Sequence, residues 1–452
     1  PKLPLRSKLS ASADDLAPRQ SETCAFVGTR RCKAPRALLA RMSPELTPDD
    51  LAGGACGSAD EHAVDRGRRR DRLGLGAKME RACAREGHRK AVLFVGDDLR
   101  LGLDLLEGMV MRSYRFDEFT EPSTGLRQVT WAVPKAHKAE AKAALARLGA
   151  KLAGIELART VADLPPNVGE PDHIVRRVLP ECEAVGLSVR TLGRAELEEL
   201  EMGLFIGIAR GAKSEARLLV LEHRPPEVSE DAAPQLALVG KGVTIDAGGY
   251  NLKSGGIHEM NYDKAGAAAV IGAMSAIARA KLPVHVVAAC PLAENLLGPE
   301  AVRPGEILRA YDGRTVYIEN ADAEGRLLMA DTLAWLCERE PERVVDLATL
   351  TSAAHIALGE PYAALFSNDD GLRDALMAAG RRADERLWPM PIDDLHDREL
   401  AHARADLRNV GAYAGGASAA AAFLRYFVSG ASAWAHVDMA GKGSFAFERD
   451  YV

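Results

Sequence analysis

The chain has 452 residues and a net charge of −6, and its composition is 47% hydrophobic and 27% charged. This length predicts two domains, and the charge gives no global reason to expect binding to nucleic acid or to an acidic membrane surface. No apolar run reaches the length of a membrane span. The scattered cysteines contain no C-x-x-C pair, which argues against a disulfide framework or a thiolate zinc site and favours a reducing compartment; they are Cys24, Cys32, Cys56, Cys83, Cys182, Cys290 and Cys337.

The first eighty or so residues carry weak signals. The chain starts at Pro1, and the stretch 1–20 is basic and rich in Ser and Ala. We expect it to be a flexible tail, with the remnant of an organelle transit peptide as the alternative. The basic run RGRRRDR at 66–72 predicts a solvated surface loop, with contact to nucleic acid as the alternative.

Residues 90–164 predict a small α/β arrangement. Apolar patterning indicates strands over 90–97 and 125–134 and helices over 105–119 and 138–164. The sequence PPNVGEP at 165–171 then breaks the chain. We therefore predict an N-terminal α/β domain over 1–160, including the connecting helix, and a second domain over 161–452.

From residue 165 onward, short β-rich segments alternate with helical ones. Ala-rich helices are predicted at 264–281 and 325–340. This alternation predicts a mixed or parallel sheet with helices on both faces, in which ligands bind at the carboxyl ends of strands. The predicted strands lie within 186–193, 216–225, 235–246, 283–292, 314–320, 343–351 and 432–441.

Several common catalytic motifs are excluded. There is no P-loop pattern and no G-x-S-x-G elbow. GLGAKM at 74–79 matches a dinucleotide turn for three residues only, and HEMNY at 258–262 lacks the second histidine of a zincin helix. The histidines are dispersed, so we expect them, His436 included, to be structural.

Charged residues occupy two apolar, glycine-rich segments, VGKGVTIDAGGYNLKSG (239–255) and NADAEGRLLMADTL (320–333). Burying a charge costs several kcal/mol unless it is paired or bound to a metal. Four carboxylates would repel one another, whereas two divalent cations would neutralise them. The four are Asp246, Asp263, Asp322 and Glu324, of which the last two lie two apart and share one face in an extended segment.

Lysine and arginine complete this cluster. Desolvation of Lys241 would lower the pKa of its amine, which could then bind a metal as a neutral ligand; alternatively the amine reaches the surface. Lys253 and Arg326 would remain cationic and could polarise a carbonyl or hold an anion. A metal pair would supply a nucleophile at neutral pH and stabilise a tetrahedral intermediate.

Taken singly, these residues have simpler interpretations. Asp246 and Asp263 are suited to capping helices, because each precedes a segment rich in glycine or alanine. Asp322 and Glu324 could form a turn that leads into the next helix. Arg326 could simply pair with Glu324.

The segments VGKGVTIDAGGYNLK…NYDKAGAAAV, NADAEGRLLMADTL, VDLATLTSA and ADLRNVG…AGGASAAAAFL resemble the leucine aminopeptidase family of cytosolic dizinc exopeptidases. The resemblance covers about residues 155 to 440. It implies that the C-terminal domain is a dizinc aminopeptidase domain. It also implies a tight metal site at Lys241, Asp246, Asp263 and Glu324, and a looser, exchangeable site at Asp246, Asp322 and Glu324.

The resemblance also implies a mechanism. A hydroxide that bridges the two metals attacks the scissile carbonyl, which Lys253 helps to polarise. A bicarbonate on Arg326 is the general base, and the free α-amine of the substrate binds the looser metal. Substrate contacts are implied for Lys253, Asp263, Thr349 and Leu350, and Tyr250 is a further candidate.

Several broader expectations follow from the resemblance. The protein would be a cytoplasmic homohexamer that removes leucine and similar residues from peptides, or an organellar matrix protein if the basic N-terminus is a transit-peptide remnant. The metals would be Zn²⁺, with Mn²⁺ or Mg²⁺ at the exchangeable site. We expect no membrane association and no nucleic-acid partner.

The chain also departs from the family pattern. Ala247 and Ala321 replace a serine and a threonine, Lys264 and Ala265 replace methionine and glycine, the loop between Lys253 and Asp263 is one residue short, and FERDYV ends the chain before a glycine-rich tail. An inward Lys264 would compete with a metal for Asp263. The alternatives are therefore a catalytically weakened member with a structural or assembly role, and DNA binding as a second activity.

Overall fold

The computed structural model describes residues 6–10, 23–26, 61–85, 87, 89–94, 98–121, 126–428 and 433–443. The chain divides into two compact units between Glu156 and Leu157, within the long helix Lys138–Asp163. The predicted domain limits at 160 and 161 remain a prediction. Within the described residues, no helix combines the length and the apolar character needed to cross a membrane.

The N-terminal unit is a four-stranded parallel sheet with helices. The strands have the order β1-β4-β3-β2. Arg6–Ser10 pairs with the fourth strand, so the expectation of a flexible tail is wrong for these residues. The transit-peptide alternative stays a prediction. The elements are β1 Arg6–Ser10, β2 Thr23–Phe26, α1 Glu61–Arg85, β3 Lys90–Phe94, α2 Leu99–Ser113, β4 Gln128–Ala132, a 3-10 turn Lys135–His137 and α3 Lys138–Asp163.

The basic run at 66–72 lies in α1, so the prediction of a surface loop is wrong. Arg69 donates to Asp104 at 2.8 Å and to Glu107 at 2.9 Å, and Arg72 donates to Asp104 at 2.6 Å. Lys151 also reaches Glu107, at 2.5 Å. Since both carboxylates on α2 are buried, these ion pairs offset part of the cost of their burial and hold the run against α2.

Helices α1 and α2 cross at close range. A Cβ on Gly76 would lie 2.2 Å from the carbonyl oxygen of Leu105, and one on Gly108 would lie 2.0 Å from that of Leu73. Gly76 of GLGAKM therefore serves helix packing. Helix α2 ends at Ser113, earlier than the predicted 119, because Tyr114 adopts an extended conformation.

The C-terminal unit contains a mixed sheet with the order β14-β13-β16-β12-β7-β9-β6-β5, and a further strand, β8, pairs with β9. Strands β7, β9, β12 and β16 are parallel, whereas β5, β6 and β13 join through antiparallel pairs. The bounds are β5 Ser188–Leu192, β6 Arg217–His223, β7 Leu236–Gly240, β8 Gly242–Asp246, β9 Val286–Asn295, β12 Arg343–Ala348, β13 Ala363–Ser367, β14 Leu387–Pro389 and β16 Ala433–Asp438.

A small second sheet has the order β10-β11-β15, with β10 Ile307–Arg309, β11 Thr315–Tyr317 and β15 Leu407–Arg408. The predicted strand at 314–320 thus belongs to this sheet and not to the main one. The helices are α4 Pro171–Ala184, α5 Arg194–Glu199, α6 Gly203–Ala209, α7 Ala265–Arg279, α8 Gly325–Cys337, α9 Ser352–Leu358, α10 Asp370–Ala383, α11 Asp394–Leu400, α12 Gly416–Arg425 and α13 Ala440–Gly443.

Strand β9 shows how the main sheet is covered. All ten of its residues are buried, so both of its faces are shielded from water, and helices α7 and α8 contact it. The predicted single strand over 235–246 is instead divided at Lys241, whose N–H donates to Leu347 O of β12 and whose carbonyl accepts from Ala267 N. The predicted fold class, a two-domain α/β protein with a mixed sheet and helices in the C-terminal domain, is confirmed.

A buried carboxyl on α8 holds two other elements in place. Asp331 accepts hydrogen bonds from the N–H groups of Leu204 and Phe205 at the start of α6 and from Tyr311 N, at 2.8 to 3.0 Å. The side chain is fully buried. Burial raises the pKa of Asp331 to about 7, and the three N–H groups oppose this rise only in part.

The Asp331→Asn variant tests this balance. An aspartate in an unfolded chain has a pKa of about 3.9, so the folded state holds the proton more tightly, and the stability contributed by this group falls as the pH rises from about 4 to about 7. Relative to the variant, the wild-type free energy of unfolding should drop by about 2 to 3 kcal/mol between about pH 5 and pH 8, measured by urea unfolding. A difference that does not change with pH would mean that the N–H groups keep the carboxylate ionised.

Candidate metal centre

The predicted site residues lie at the ends of neighbouring elements. Asp246 is the last residue of β8, and Lys241 lies between β7 and β8. Asp263 lies in a 3-10 helix, Ile257–Lys264, just before α7. Asp322 and Glu324 lie in the turn that leads into α8. The carboxyl ends of β7 and β8 thus supply Lys241 and Asp246, as expected for an α/β sheet, while the segments that lead into α7 and α8 supply the other carboxylates.

Lys241 lies at the centre of a buried cluster and is 3% exposed. Its Nζ lies 2.7 Å from Asp263 Oδ2 and 2.9 Å from Glu324 Oε1, and it donates to Thr349 O at 3.2 Å. A Cβ on Gly325 would lie 2.4 Å from the Cε of this lysine, so only glycine at the start of α8 leaves room for it. The Lys241 side chain therefore packs directly against the backbone at the start of α8.

Lys253 joins the other two carboxylates. Its Nζ lies 2.7 Å from Asp246 Oδ2 and 2.5 Å from Asp322 Oδ1. The Oδ1 of Asp246 accepts from Gly248 N at 2.9 Å and from Asn295 Nδ2 at 2.8 Å. Every oxygen of Asp246 thus has a partner that fixes its orientation.

Asp246, Asp322 and Glu324 can offer three ligand oxygens that lie within 4.8 Å of one another. The proposed reason for the proximity of the last two was wrong, because they lie in a turn closed by a hydrogen bond from Ala323 N to Asn320 O and not in an extended segment. Glu324 Oε2 is buried and accepts no hydrogen bond from the described residues. A buried carboxylate oxygen without a hydrogen bond is costly in an apolar core, so this oxygen is suited to bind a cation.

The charge state of Lys241 differs from the expectation. Burial alone would lower the pKa of its amine, but the carboxylates of Asp263, Glu324 and Asp246 outweigh burial and raise it. Lys253 follows the same pattern, with Asp246 as its main partner. A divalent cation beside a lysine reverses this electrostatic balance and would favour the neutral amine.

The acidic groups respond in the opposite direction. Burial raises the pKa of Asp263 well above its usual range, although Lys241 opposes the rise. Burial, with the neighbouring Asp246, raises the pKa of Asp322 to about 6. Thus the two cations in contact with the carboxylates, Lys241 and Lys253, do not fully stabilise their ionised forms. Positive charge is in deficit here, and the all-oxygen carboxylate set, joined by one amine, fits divalent cations.

Arg326 follows one residue into α8. Its Nη1 donates to Asn409 O at 2.8 Å, while its Nε is buried and makes no hydrogen bond to the described residues. Burial lowers the pKa of this guanidinium to about 10, so it remains cationic at neutral pH. The expected pair with Glu324 is not found as a direct contact. A buried cation with an unused donor is suited to hold a small anion.

The predicted substrate residues differ in their positions. Thr349 lies in the cluster, since its hydroxyl donates to Asp263 Oδ1 at 2.6 Å. Leu350 N donates to Asp438 Oδ1 at 3.0 Å, and its side chain packs against the main core. Tyr250 is exposed over about half of its surface, at 47%.

The residues that depart from the family pattern do not enter the cluster as competitors. Lys264 is fully buried, and its Nζ donates to Leu164 O at 3.0 Å and to Asn261 O. Burial lowers the pKa of this amine to about 8. Its side chain is therefore committed to two backbone carbonyls. Ala247 and Ala321 are both buried, and a Cβ added at Gly249 would lie 3.3 Å from that of Ala321.

Three asparagines were missed by the sequence analysis. Asn295 Nδ2 joins Asp246 Oδ1 to Ala321 O, the latter at 3.1 Å, and Asn251 Oδ1 accepts from Ala321 N at 2.8 Å. Asn409 contacts the same loop. A single asparagine outside a turn or cap has no local pattern, so only the spatial arrangement reveals it.

Sequence comparison agrees with this geometry. Residues 156–450 match the profile described as cytosol aminopeptidase family, catalytic domain. Probable cytosol aminopeptidases are similar: one from Syntrophotalea carbinolica is 42% identical over 75% of this chain and 68% of that protein. Those of Dechloromonas aromatica and Gluconobacter oxydans are each 40% identical, covering 73% and 79% of this chain and 66% and 72% of theirs. The chain thus spans about two thirds of the length of these relatives.

Solved structures are similar over a greater length. The bottromycin maturation enzyme BotP aligns with a TM-score of 0.77 and 30% identity, covering 93% of this chain and 92% of BotP. A complex of BotP with Mn aligns with a TM-score of 0.74 and 34% identity, covering 83% and 81%.

The predicted resemblance is confirmed by these similarities together with the acidic cluster at the strand ends. This chain belongs to the cytosol aminopeptidase family of metal-dependent leucyl aminopeptidases, which are hydrolases.

Proposed function

We propose that this enzyme releases N-terminal amino acids from peptides with two divalent cations, held by Lys241, Asp246, Asp263, Asp322 and Glu324. The observation that carries the proposal is the convergence of Asp246, Asp322 and Glu324 oxygens within 4.8 Å. Two such cations would supply Lewis acidity and the water-derived nucleophile of the expected bridging-hydroxide mechanism. The Mn complex of BotP supports a divalent metal; we propose Zn²⁺ at the tight site and Zn²⁺, Mn²⁺ or Mg²⁺ at the exchangeable one.

Two cationic side chains would act on the substrate and the proton. Lys253 reaches both Asp246 and Asp322, so its ammonium borders the looser site and can donate to a carbonyl oxygen there. Arg326 has a buried, unused Nε–H. We assign it to a bicarbonate that accepts a proton as general base. Thr349 and Asp263 would position the substrate, and Leu350 would contribute its backbone.

We extend the proposal to substrate and assembly. Leucine and similar apolar N-terminal residues are the proposed substrates, because the family resemblance implies them; the relatives' names support aminopeptidase activity in general. We also propose a homohexamer, which light scattering would test, and a cytoplasmic location, which the names of the relatives support. The organellar alternative rests mainly on residues outside the described ones.

The alternative functions have less support. A weakened enzyme was expected if Lys264 competed for Asp263, but this amine donates to Leu164 O and Asn261 O. DNA binding depended on the basic run at 66–72. Two of its arginines, Arg69 and Arg72, are already paired with carboxylates of α2.

Metal binding is tested with protein freed of metal by a chelator. Isothermal calorimetry with Mn²⁺ should show two ions per chain, and hydrolysis of leucine amide should return in step with binding. The physical reason is that four carboxylates need about four positive charges to remain ionised together. Activity in the presence of excess chelator would contradict the proposal.

A second test is Glu324→Ala. The loss of this carboxylate, which is proposed to contact both ions, should reduce kcat/KM for leucine amide by about three orders of magnitude, because metal catalysis supplies several kcal/mol. Circular dichroism should be unchanged. Glu342→Ala, on a half-exposed glutamate paired with Arg343, is the matched control and should keep full activity. Turnover retained in the first variant would refute the ligand assignment.

Lys264→Met distinguishes the active from the weakened enzyme. Since the Lys264 amine bonds to two carbonyls rather than to Asp263, its replacement should leave kcat/KM within about threefold of the wild type. A gain of tenfold or more would show that the lysine competes with the metal for Asp263 in solution.

A further inference from the structure

Asn409 is a buried asparagine that the proposed chemistry does not use. It follows β15, has 0% exposure and lies 83 residues beyond Arg326 along the chain. Its side-chain Oδ1 accepts from Glu319 N at 2.9 Å and from Asn320 N at 3.3 Å. Its Nδ2 donates to Asn320 O at 2.6 Å. The whole carboxamide is therefore directed at one short segment.

That segment leads directly to proposed metal ligands. Asn320 Oδ1 accepts from Asp322 N at 2.8 Å, and the turn continues to Glu324 at the start of α8. A rotation of the peptide at residue 320 would therefore move the Asp322 side chain. The carboxamide of Asn409 opposes such a rotation by binding both the N–H and the C=O of that residue.

The backbone of Asn409 reaches the other part of the site. Its carbonyl accepts the hydrogen bond from Arg326 Nη1 at 2.8 Å, and its N–H donates to Tyr317 O at 3.0 Å. Among the side-chain hydrogen bonds of the described residues, the Asn409 carbonyl is the acceptor for the Arg326 guanidinium. One residue thus fixes both the loop of Asp322 and the direction of the Arg326 donors.

We propose that Asn409 is a positioning residue of the metal centre, which sets the Asp322 loop and the Arg326 guanidinium in a common register. The proposal rests on the proposed function. Only a carboxamide of this length presents an acceptor for two N–H groups and a donor for the adjacent carbonyl. Aspartate would place an oxygen against Asn320 O, and leucine would remove the acceptor of both N–H groups and leave Asn320 O with only the bond from Ala323 N.

The test compares Asn409→Asp and Asn409→Ala with the wild type. Mutation of a group that orients a metal ligand typically lowers metal affinity or activity by about 10- to 100-fold. Both variants should weaken binding of the more loosely held Mn²⁺ by about tenfold or more in calorimetry. Both should lower kcat for leucine amide by a similar factor, with a smaller change in KM, because Arg326 acts on the proton and not on substrate affinity.

A stability control separates positioning from general loss of structure. Asp369→Ala removes the cap of α10, whose carboxylate accepts from Leu372 N at 2.6 Å. It should lower the thermal midpoint while leaving Mn²⁺ affinity and kcat unchanged. If Asn409→Ala does not fold, Asn409→Asp carries the test, since it retains an oxygen for the two N–H groups.

The outcomes are distinct. Asn409 variants that lower the thermal midpoint as the cap variant does, yet bind Mn²⁺ and turn over like the wild type at 25 °C, would overturn the positioning role alone. A wild type that neither binds Mn²⁺ nor cleaves leucine amide would instead overturn the proposed function.

Discussion

The structure of the C-terminal unit depends on holding four carboxylates close together in a largely buried cluster. Lys241 and Lys253 each contact two of them. A carboxylate removed from water is stable only beside positive charge, so the surrounding fold must bring cations to fixed positions. The break between β7 and β8, the glycine that opens α8 and the turn before it all serve that requirement. Family membership supplies the purpose, because a metallopeptidase needs such a cluster.

The sequence was most informative where chemistry forced an unusual composition. Acidic and basic residues in apolar, glycine-rich segments have few structural explanations, and the ends of parallel strands meet at one edge of a sheet. The location of Asp246 and the α/β class could therefore be predicted. The resemblance supplied the pairing of distant segments, such as 246 with 322, which no local pattern contains.

Other features depend on tertiary contacts and could not be predicted. The run at 66–72 was predicted to be a solvated loop because the partners of Arg69 and Arg72, Asp104 and Glu107, lie more than thirty residues away in the sequence. The sequence did not reveal that strand 315–317 belongs to a separate sheet, because its partners, β10 and β15, are short and weakly patterned. Burial alone would lower the pKa of the Lys241 amine, whereas Asp263, Glu324 and Asp246, which the fold brings beside it, reverse that direction.

The bond from Lys264 to Leu164 has a consequence for how the catalytic unit can be isolated. This ammonium ties the loop that supplies Asp263 to the backbone just beyond the end of α3. An excised fragment that began after residue 164 would leave a buried amine facing no carbonyl on that side, immediately next to an intended ligand. A fragment that retains this contact must therefore include Leu164 and begin upstream of the proline pair at 165–166.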